Sequence, residues 1–408
     1  MATGFLFWLL AARAAEAPAV GLAAGAVSLM MLGTQFAVAG TGSSFVLRHA
    51  SHTAQRARLL DAAITVVLLA SAAVSAVTLG LVAAVSDQLR PIATEPLFAV
   101  LFVVMTTLGT LGILLDHVSV ALDRGGEVLV RNTIGGLVTA VPLAVALVVG
   151  WRPGPEALFG CWVLGAALAC GIGALQLHRR LDRYTYHPGL PRPLTGELLR
   201  TGLANQSLTL VERTPNLLLP AVVTEVLSPA LNASWYVAWM MAWAVLIIPV
   251  SFGLTLMAQV AREPAAMRAG LRRGVRTGLV LGVGAAVAVA LVGPLVLRLM
   301  GEVYADAGTA PLRWLLLGVV PVLVIQAYYA ICRAVSRVRE AVAAGSLTAV
   351  ATLVGAALAG AEHGLVGIAV AWLAVQVVAS VWAGFRLRAL MPASRPVAEP
   401  DVAAGRGA

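Results

Sequence analysis

Long apolar runs separated by short polar segments fill almost the whole chain. Of its 408 residues, 60% are hydrophobic and only 12% are charged. A soluble domain carries roughly 25% charged residues, so this composition leaves too few polar groups to cover a surface in water. Because about 20 apolar residues span a bilayer, the chain is long enough for about a dozen crossings. The sequence therefore predicts an all-α integral membrane protein.

Twelve helices are predicted when the apolar runs are cut at Pro, Gly and charge clusters. They lie near residues 3–15, 18–42, 59–86, 94–121, 129–150, 155–178, 199–226, 230–259, 275–299, 309–332, 340–360 and 364–388. The longest polar interruption contains three prolines and separates two sets of six spans. We therefore predict an N-terminal six-helix lobe, a cytoplasmic linker, a C-terminal six-helix lobe and a disordered cytoplasmic tail, at residues 1–187, 188–198, 199–390 and 391–408.

The first predicted span is unusually short. Residues 1–15 would extend about 22 Å as a helix, whereas the hydrocarbon core is about 30 Å thick. Two interpretations stay open. One is a cleaved signal peptide, and the other is a chain that starts inside its first helix, without a front portion. No basic residue precedes the apolar centre at 4–12, which favours the second interpretation.

A weak internal repeat accompanies the division into halves. Residues 121–150 align with 331–360 at an offset of 210, so that Gly135 meets Gly345 and Gly150 meets Gly360. Such matches arise easily in a sequence rich in Ala, Val, Leu and Gly. The repeat is consistent with the parallel repeats found in some transporters.

Every basic residue is an arginine, and the net charge is +9. If the first run crosses outward, 22 of the 28 arginines, Arg131 among them, fall in cytoplasmic loops, and only four fall in the opposite loops. The positive-inside rule therefore predicts a multi-pass protein of the cytoplasmic membrane with both termini in the cytoplasm. Because the arginines form short clusters between apolar runs, we do not expect nucleic-acid binding.

The seventh predicted span carries a stripe of polar side chains. Its members are Asn205, Gln206, Thr209, Glu212, Arg213 and Asn216. Spacings of four, three and four put Asn205, Thr209, Glu212 and Asn216 on one helix face. A charge at the bilayer centre costs about 2.5–3.5 kcal/mol, so Glu212 and Arg213 each need compensation. They form either a structural pair bonded to neighbouring helices or the wall of an aqueous cavity in which Arg213 attracts an anionic group of a substrate.

Other polar residues give weaker signals. Arg48 closes the second span and Arg333 the tenth, where they are typical topology signals or guards of a cavity mouth against lipid phosphates. On the tenth span Gln326, Tyr328 and Tyr329 are interpreted as interfacial anchors or packing residues, with contacts to sugars as the alternative.

Motifs of soluble enzyme chemistry are absent from the sequence. There is no Walker loop, HExxH or G-x-S-x-G, so the sequence supports no ATPase, metalloprotease or hydrolase. The segments between spans are too short for a catalytic domain. We expect neither an enzyme nor a cofactor or metal site, and the three cysteines, which show no metal-ligand spacing, are interpreted as small apolar residues.

Several short motifs occur in the order and spacing of one exporter superfamily. They are Ala11-Ala12-Arg13, Val20-Gly21, Val46-Leu47-Arg48, Glu212-Arg213, Tyr236-Val237-Ala238, Ile248-Pro249, Leu299 to Tyr304 and His363 to Gly367. Over nearly its whole length the chain resembles the polysaccharide flippase branch of the multidrug, oligosaccharidyl-lipid and polysaccharide exporter superfamily. It departs from that pattern with Glu212 in place of the commoner Asp, and with Ala238 one place early.

The resemblance implies twelve helices in two lobes around a central cavity that opens to each side of the membrane in turn. It also implies a lipid-linked oligosaccharide on a polyprenyl pyrophosphate carrier as substrate, with Arg213 facing the pyrophosphate. Membrane lipids and glycan-assembly enzymes are the expected partners. Two alternatives stay open: a cation-coupled drug or metabolite exporter that uses Glu212 or Asp116, and a non-transporting membrane protein of glycan assembly.

Overall fold

The computed structural model describes residues 2–38, 40–48, 56–181, 183–263 and 267–390. Within these ranges the chain is helical and contains no strand. The side chains of Arg48 and Asn205, both expected to contribute to a site, lie outside the described part, as does the predicted tail at 391–408.

Helices α1 to α14 follow one another along the chain. They are α1 (Ala2–Ala14), α2 (Ala17–Val38), α3 (Thr41–Arg48), α4 (Arg56–Val85), α5 (Pro91–Thr94), α6 (Pro96–Ala121), α7 (Gly125–Val149), α8 (Pro155–Arg180), α9 (Arg192–Val226), α10 (Pro229–Arg262), α11 (Met267–Met300), α12 (Glu302–Leu317), α13 (Val319–Ala334) and α14 (Val338–Leu390).

Each of the twelve predicted spans corresponds to a helix, a bent pair or one arm of a helix. The predicted tenth span is the pair α12 and α13, bent by 45°. Gly364 takes a positive φ of 61° and divides α14 into the predicted eleventh and twelfth spans. The short helices α3 and α5 were not predicted. Eight described helices are long and apolar enough to cross a membrane, or nine with the bent pair, and the short α1 and the polar α9 are not among them.

Large aliphatic side chains cover the outside of the helical bundle. Val148 is 88% exposed and Leu291 is 76% exposed, and many other Leu and Val residues are similarly open. In water such a surface would aggregate, whereas in a bilayer it contacts lipid tails at no cost. The chain is a multi-pass membrane protein.

The segment between α8 and α9 packs against α4 and is shorter than predicted. Helix α9 begins at Arg192, seven residues before the predicted span, because proline is tolerated in the first turn of a helix. In the segment between α8 and α9, Tyr184 donates a hydrogen bond to the Asp61 carboxylate. Burial and this hydrogen bond raise the pKa of the Tyr184 phenol.

We refer to α1–α8 as the N-terminal lobe and to α9–α14 as the C-terminal lobe, and α2 packs along both α9 and α10. Near one end, Asn232 Nδ2 donates to the carbonyl oxygen of Gly21 at 2.8 Å, and a Cβ at Gly21 would overlap the carbonyl of Pro229. Near the other end, Ser44 Oγ donates to the carbonyl oxygen of Leu198 at 2.9 Å. The lobes therefore touch at both ends of α2.

Matching turns relate the two lobes. Asp123, after α6, and Ser336, after α13, both take the left-handed conformation, with φ of 57° and 60°. Behind each, the next amide donates back to a carbonyl five residues earlier at 2.8 Å, from Arg124 and from Arg337. These turns are offset by 213 residues, so the structure moves the predicted repeat by three positions.

The position of Arg131 differs from the one predicted from the distribution of arginines. It was expected in a cytoplasmic loop, but it lies inside α7 and is only 1% exposed. Its guanidinium forms an ion pair with Asp116 of α6. It was counted with Arg124 in the loop before the predicted fifth span, but α7 begins at Gly125, four residues earlier than that span.

Candidate functional site

A cavity of about 540 Å³ lies inside the C-terminal lobe, among α9, α10, α13 and α14. Its polar wall consists of Thr209, Glu212, Arg213, Asn216, Gln326, Tyr329, Arg333, Thr348 and Gln376. The described lining residues run from Leu208 to Gln376, so none comes from the N-terminal lobe. The predicted chamber was expected between the lobes. The packing of α2 along α9 and α10 fills that region in this conformation.

Glu212 is compensated across the cavity wall by Arg333 of α13. The Arg333 Nη2 donates to Glu212 Oε1 at 3.1 Å, and the side chains are 20% and 16% exposed, respectively. Arg333 was expected to be a topology signal or a guard of the mouth, and it lies in the lining itself. The pair joins residues that are 121 positions apart, so it ties α9 to the C-terminal end of α13.

Arg213 is the exposed cation of the cavity wall. Among the described residues it has no hydrogen-bond or ion-pair partner, although it follows Glu212 directly in α9. Adjacent residues on a helix diverge by about 100°, so Glu212 can face Arg333 while Arg213 points elsewhere. The described lining thus holds one carboxylate and two guanidinium groups, a formal charge of +1. This wall favours an anionic ligand.

Only some of the other residues of the predicted polar stripe line the cavity. Thr209 and Asn216 line it, and Asn216 Nδ2 donates to the carbonyl oxygen of Glu212 at 3.2 Å. Gln206 lies on the same helix but is not in the described lining. The position of the Asn205 side chain stays a prediction.

The contribution of α13 to the cavity wall was underestimated from the sequence. Gln326, Tyr329 and Arg333 all line the cavity, although the first two were interpreted as anchors or packing residues. Spacings of three and four put these residues on one helical face, which is the signal that could have identified them. Their approach needs small neighbours: a Cβ at Gly345 would lie 3.0 Å from the Tyr329 hydroxyl.

No protein-family model and no curated protein sequence matches the chain. Solved structures do match it. An inward-facing conformation of a multidrug resistance MATE family transporter of the MOP superfamily has a TM-score of 0.72 at 14% identity, over 96% of each chain. The inward closed conformation of the lipid II flippase MurJ has a TM-score of 0.75 at 11% identity, over 95% of this chain and 85% of that one. The chain has the fold of these transporters.

A third solved structure also shares the fold. An outward-facing conformation of a multidrug resistance MATE family transporter has a lower TM-score of 0.64, at 13% identity over 96% of this chain and 93% of that one. Glu225, in α9, contacts the end of α4. At the end of α9, its carboxylate accepts from the Ser86 hydroxyl and from the amide of Asp87 at 3.0 Å, which joins the lobes.

A second ion pair, Arg131 with Asp116 in the N-terminal lobe, lies outside the described lining of this cavity. Arg131 donates to Asp116, to Gln176 Oε1 at 2.9 Å and to Ser119 Oγ at 3.5 Å. Asn132 Nδ2 also donates to Asp116, at 3.1 Å. Asp116, one of the two carboxylates named for cation coupling, is therefore held by an arginine and an amide.

Proposed function

We propose that the protein is a transporter that moves lipid-linked oligosaccharide or polysaccharide precursors across the cytoplasmic membrane by alternating access. The observation that carries the proposal is the exposed Arg213, which has no hydrogen-bond or ion-pair partner among the described residues, in a polar cavity whose described charges sum to +1. The fold supports transport, since solved structures that share it include multidrug transporters and the lipid II flippase MurJ.

The chemistry of the cavity wall fits the two parts of such a substrate. A pyrophosphate group needs a cation, and the planar fork of an arginine binds phosphate oxygens in a bidentate manner. Sugar hydroxyls need hydrogen-bond partners, which Thr209, Asn216 and Gln326 offer. Trp243 and Trp372 add aromatic faces to the lining.

The direction of loading follows from the predicted topology. If both termini are cytoplasmic, α13 ends and α14 begins at the cytoplasmic side. Arg333, near the end of α13, and Val338, at the start of α14, both line the cavity. The cavity therefore reaches toward the cytoplasmic side, where lipid-linked precursors are expected to be made.

A cation-coupled drug or metabolite exporter is the second candidate. The carboxylate of Glu212 in the lining favours it, because a coupling cation or a cationic drug needs such a group. Against it, Glu212 is already paired with Arg333, and the described lining is positive rather than negative. A non-transporting role in glycan assembly would leave the polar cavity without a function.

The test is translocation of a labelled lipid-linked oligosaccharide in proteoliposomes. We expect Arg213→Ala to lower the rate at least about tenfold, because an unneutralised phosphate in a low-dielectric cavity is costly. Arg152→Ala removes an arginine that is 78% exposed and remote from the cavity, and should leave the rate unchanged. Wild-type transport by Arg213→Ala would return Arg213 to a structural role. Glu212-dependent export of lipophilic cations, without glycan transport, would establish the second candidate.

A further inference from the structure

The pair between Glu212 and Arg333 stands at the cavity wall and is incompletely satisfied. The described structure gives Arg333 one hydrogen-bond partner, the Glu212 carboxylate, although a guanidinium carries five donor hydrogens. The side chains of Arg333 and Glu212 are 20% and 16% exposed, respectively. Arg333 therefore has unused hydrogen-bond donors. Like the exposed Arg213, it lines the cavity.

We propose that Glu212 is an internal anion that occupies Arg333 while the cavity is empty, and that a phosphate or pyrophosphate group displaces it. The incoming anion then binds Arg213 and Arg333 together. The inference rests on the proposed function and deepens it, because it specifies how the anionic part of the substrate is recognised.

Charge favours the exchange. A pyrophosphate group carries more negative charge than one carboxylate and has more acceptor oxygens, so it satisfies two guanidinium groups at once. The released Glu212 faces the cavity rather than a dry helix contact, so its carboxylate can be hydrated. Asn216, on the same wall, offers an amide beside it.

Arg131 of the N-terminal lobe is an arginine that cannot exchange its carboxylate partner for an incoming anion. Arg131 is 1% exposed and donates to three side chains, those of Asp116, Gln176 and Ser119. An anion could not reach it without unpacking α6, α7 and α8. Arg333 differs in both respects, since it is more exposed and has a single partner.

The experiment measures binding of inorganic pyrophosphate to the purified full-length protein in detergent by calorimetry. Glu212→Gln keeps the shape of the side chain and removes the competing charge, so we expect pyrophosphate to bind at least about tenfold more tightly than to the wild type. Glu16→Gln is the matched control. It also removes one negative charge, but from a side chain that is 71% exposed and outside the cavity lining, and it should leave the affinity unchanged.

A double variant extends the test. Arg333→Gln in the Glu212→Gln background should abolish the gain and return the affinity to within about threefold of the wild type, because Arg213 alone remains. This double variant replaces both partners of the pair, so it keeps the inference testable even if Glu212→Gln is poorly folded. The inference is overturned if Glu212→Gln binds no more tightly than the wild type, or if the double variant loses binding altogether.

The outcome separates this inference from the proposed function. A gain in pyrophosphate affinity without any translocation of lipid-linked oligosaccharide would keep the anion exchange and reject the glycan substrate. Translocation that depends on Arg213, without the gain in Glu212→Gln, would keep the transport function and reject the exchange.

Discussion

Two carboxylate–arginine pairs, Asp116–Arg131 in the N-terminal lobe and Glu212–Arg333 in the C-terminal lobe, differ in their surroundings. In the N-terminal lobe, Arg131 is buried and also donates to Gln176 and Ser119. In the C-terminal lobe, Arg333 bonds to Glu212 alone, on the wall of a cavity of about 540 Å³. The same two residue types thus fasten helices together in one lobe and leave spare donors in the other.

The difference shows that an intramembrane arginine is best judged by whether its unused hydrogen-bond donors are open to a cavity. Arg131, with three side-chain partners, gives little sign of a ligand, because its remaining donor, Nε, is buried out of reach of an anion. A pair that is open to a cavity, beside a further unpartnered arginine, keeps donors for an incoming group. The polar stripe of α9 signals a site only when the residues of α13 are considered with it.

The largest expected effect concerns stability. Asp116→Ala leaves the buried Arg131 without its counter-ion and should lower the free energy of unfolding by roughly 3–5 kcal/mol. Glu212→Ala leaves Arg333 facing a cavity in which it can be hydrated, so its cost should be at most about 1–2 kcal/mol. Unfolding midpoints in the same detergent measure both. Equal losses in the two variants would remove the distinction between the lobes.

A smaller effect is expected for Glu225, whose carboxylate joins the two lobes. Glu225 accepts from Ser86 and from the amides of Asp87 and Gln88, at the end of the molecule predicted to face outward. Glu225→Gln loses the charge from these bonds and should favour outward opening by about 1 kcal/mol, roughly fivefold in population. Distances between spin labels on α4 and α9 would report the opening. An unchanged distance distribution would show that other contacts hold this end closed.

The smallest effects are expected at matching positions of the two lobes. Glu127 pairs with Arg180, and Glu340 pairs with Arg386, each at 2.8 Å, in the first turn after equivalent left-handed turns. Each pair is partly exposed, so Glu127→Gln and Glu340→Gln should each cost only about 0.5 kcal/mol. Chemical unfolding should give similar small shifts. A much larger loss in one variant would show that the repeated pairs have taken different roles.

The sequence predicted the spans well, because the length of an apolar run fixes a membrane helix locally. It also identified Glu212 and Arg213, since charges inside an apolar run are conspicuous. The partner of Glu212 lies 121 residues away, and no local pattern pairs the two. Arg131 was misplaced for a related reason. An arginine at the start of an apolar run looks the same in sequence whether it is hydrated or buried against a carboxylate.

The position of the cavity was also beyond local patterns. The polar face of α9 predicts that a cavity exists, but which helices close it depends on the packing of α10, α13 and α14 around that face. The bend between α12 and α13 arises within apolar sequence, whereas the break at Gly364 lies between the predicted eleventh and twelfth spans. The small residues that allow these approaches are too common in this chain to point to any one of them.

The central claim is that the positive wall around Arg213 binds the anionic part of a lipid-linked glycan. Its most direct test is the initial rate of lipid-linked oligosaccharide translocation in proteoliposomes that contain Arg213→Lys or Arg213→Glu. The account predicts partial transport with lysine, which keeps the charge but loses the bidentate fork, and no transport with glutamate, which makes the described lining negative. Equal rates for the two variants would contradict it.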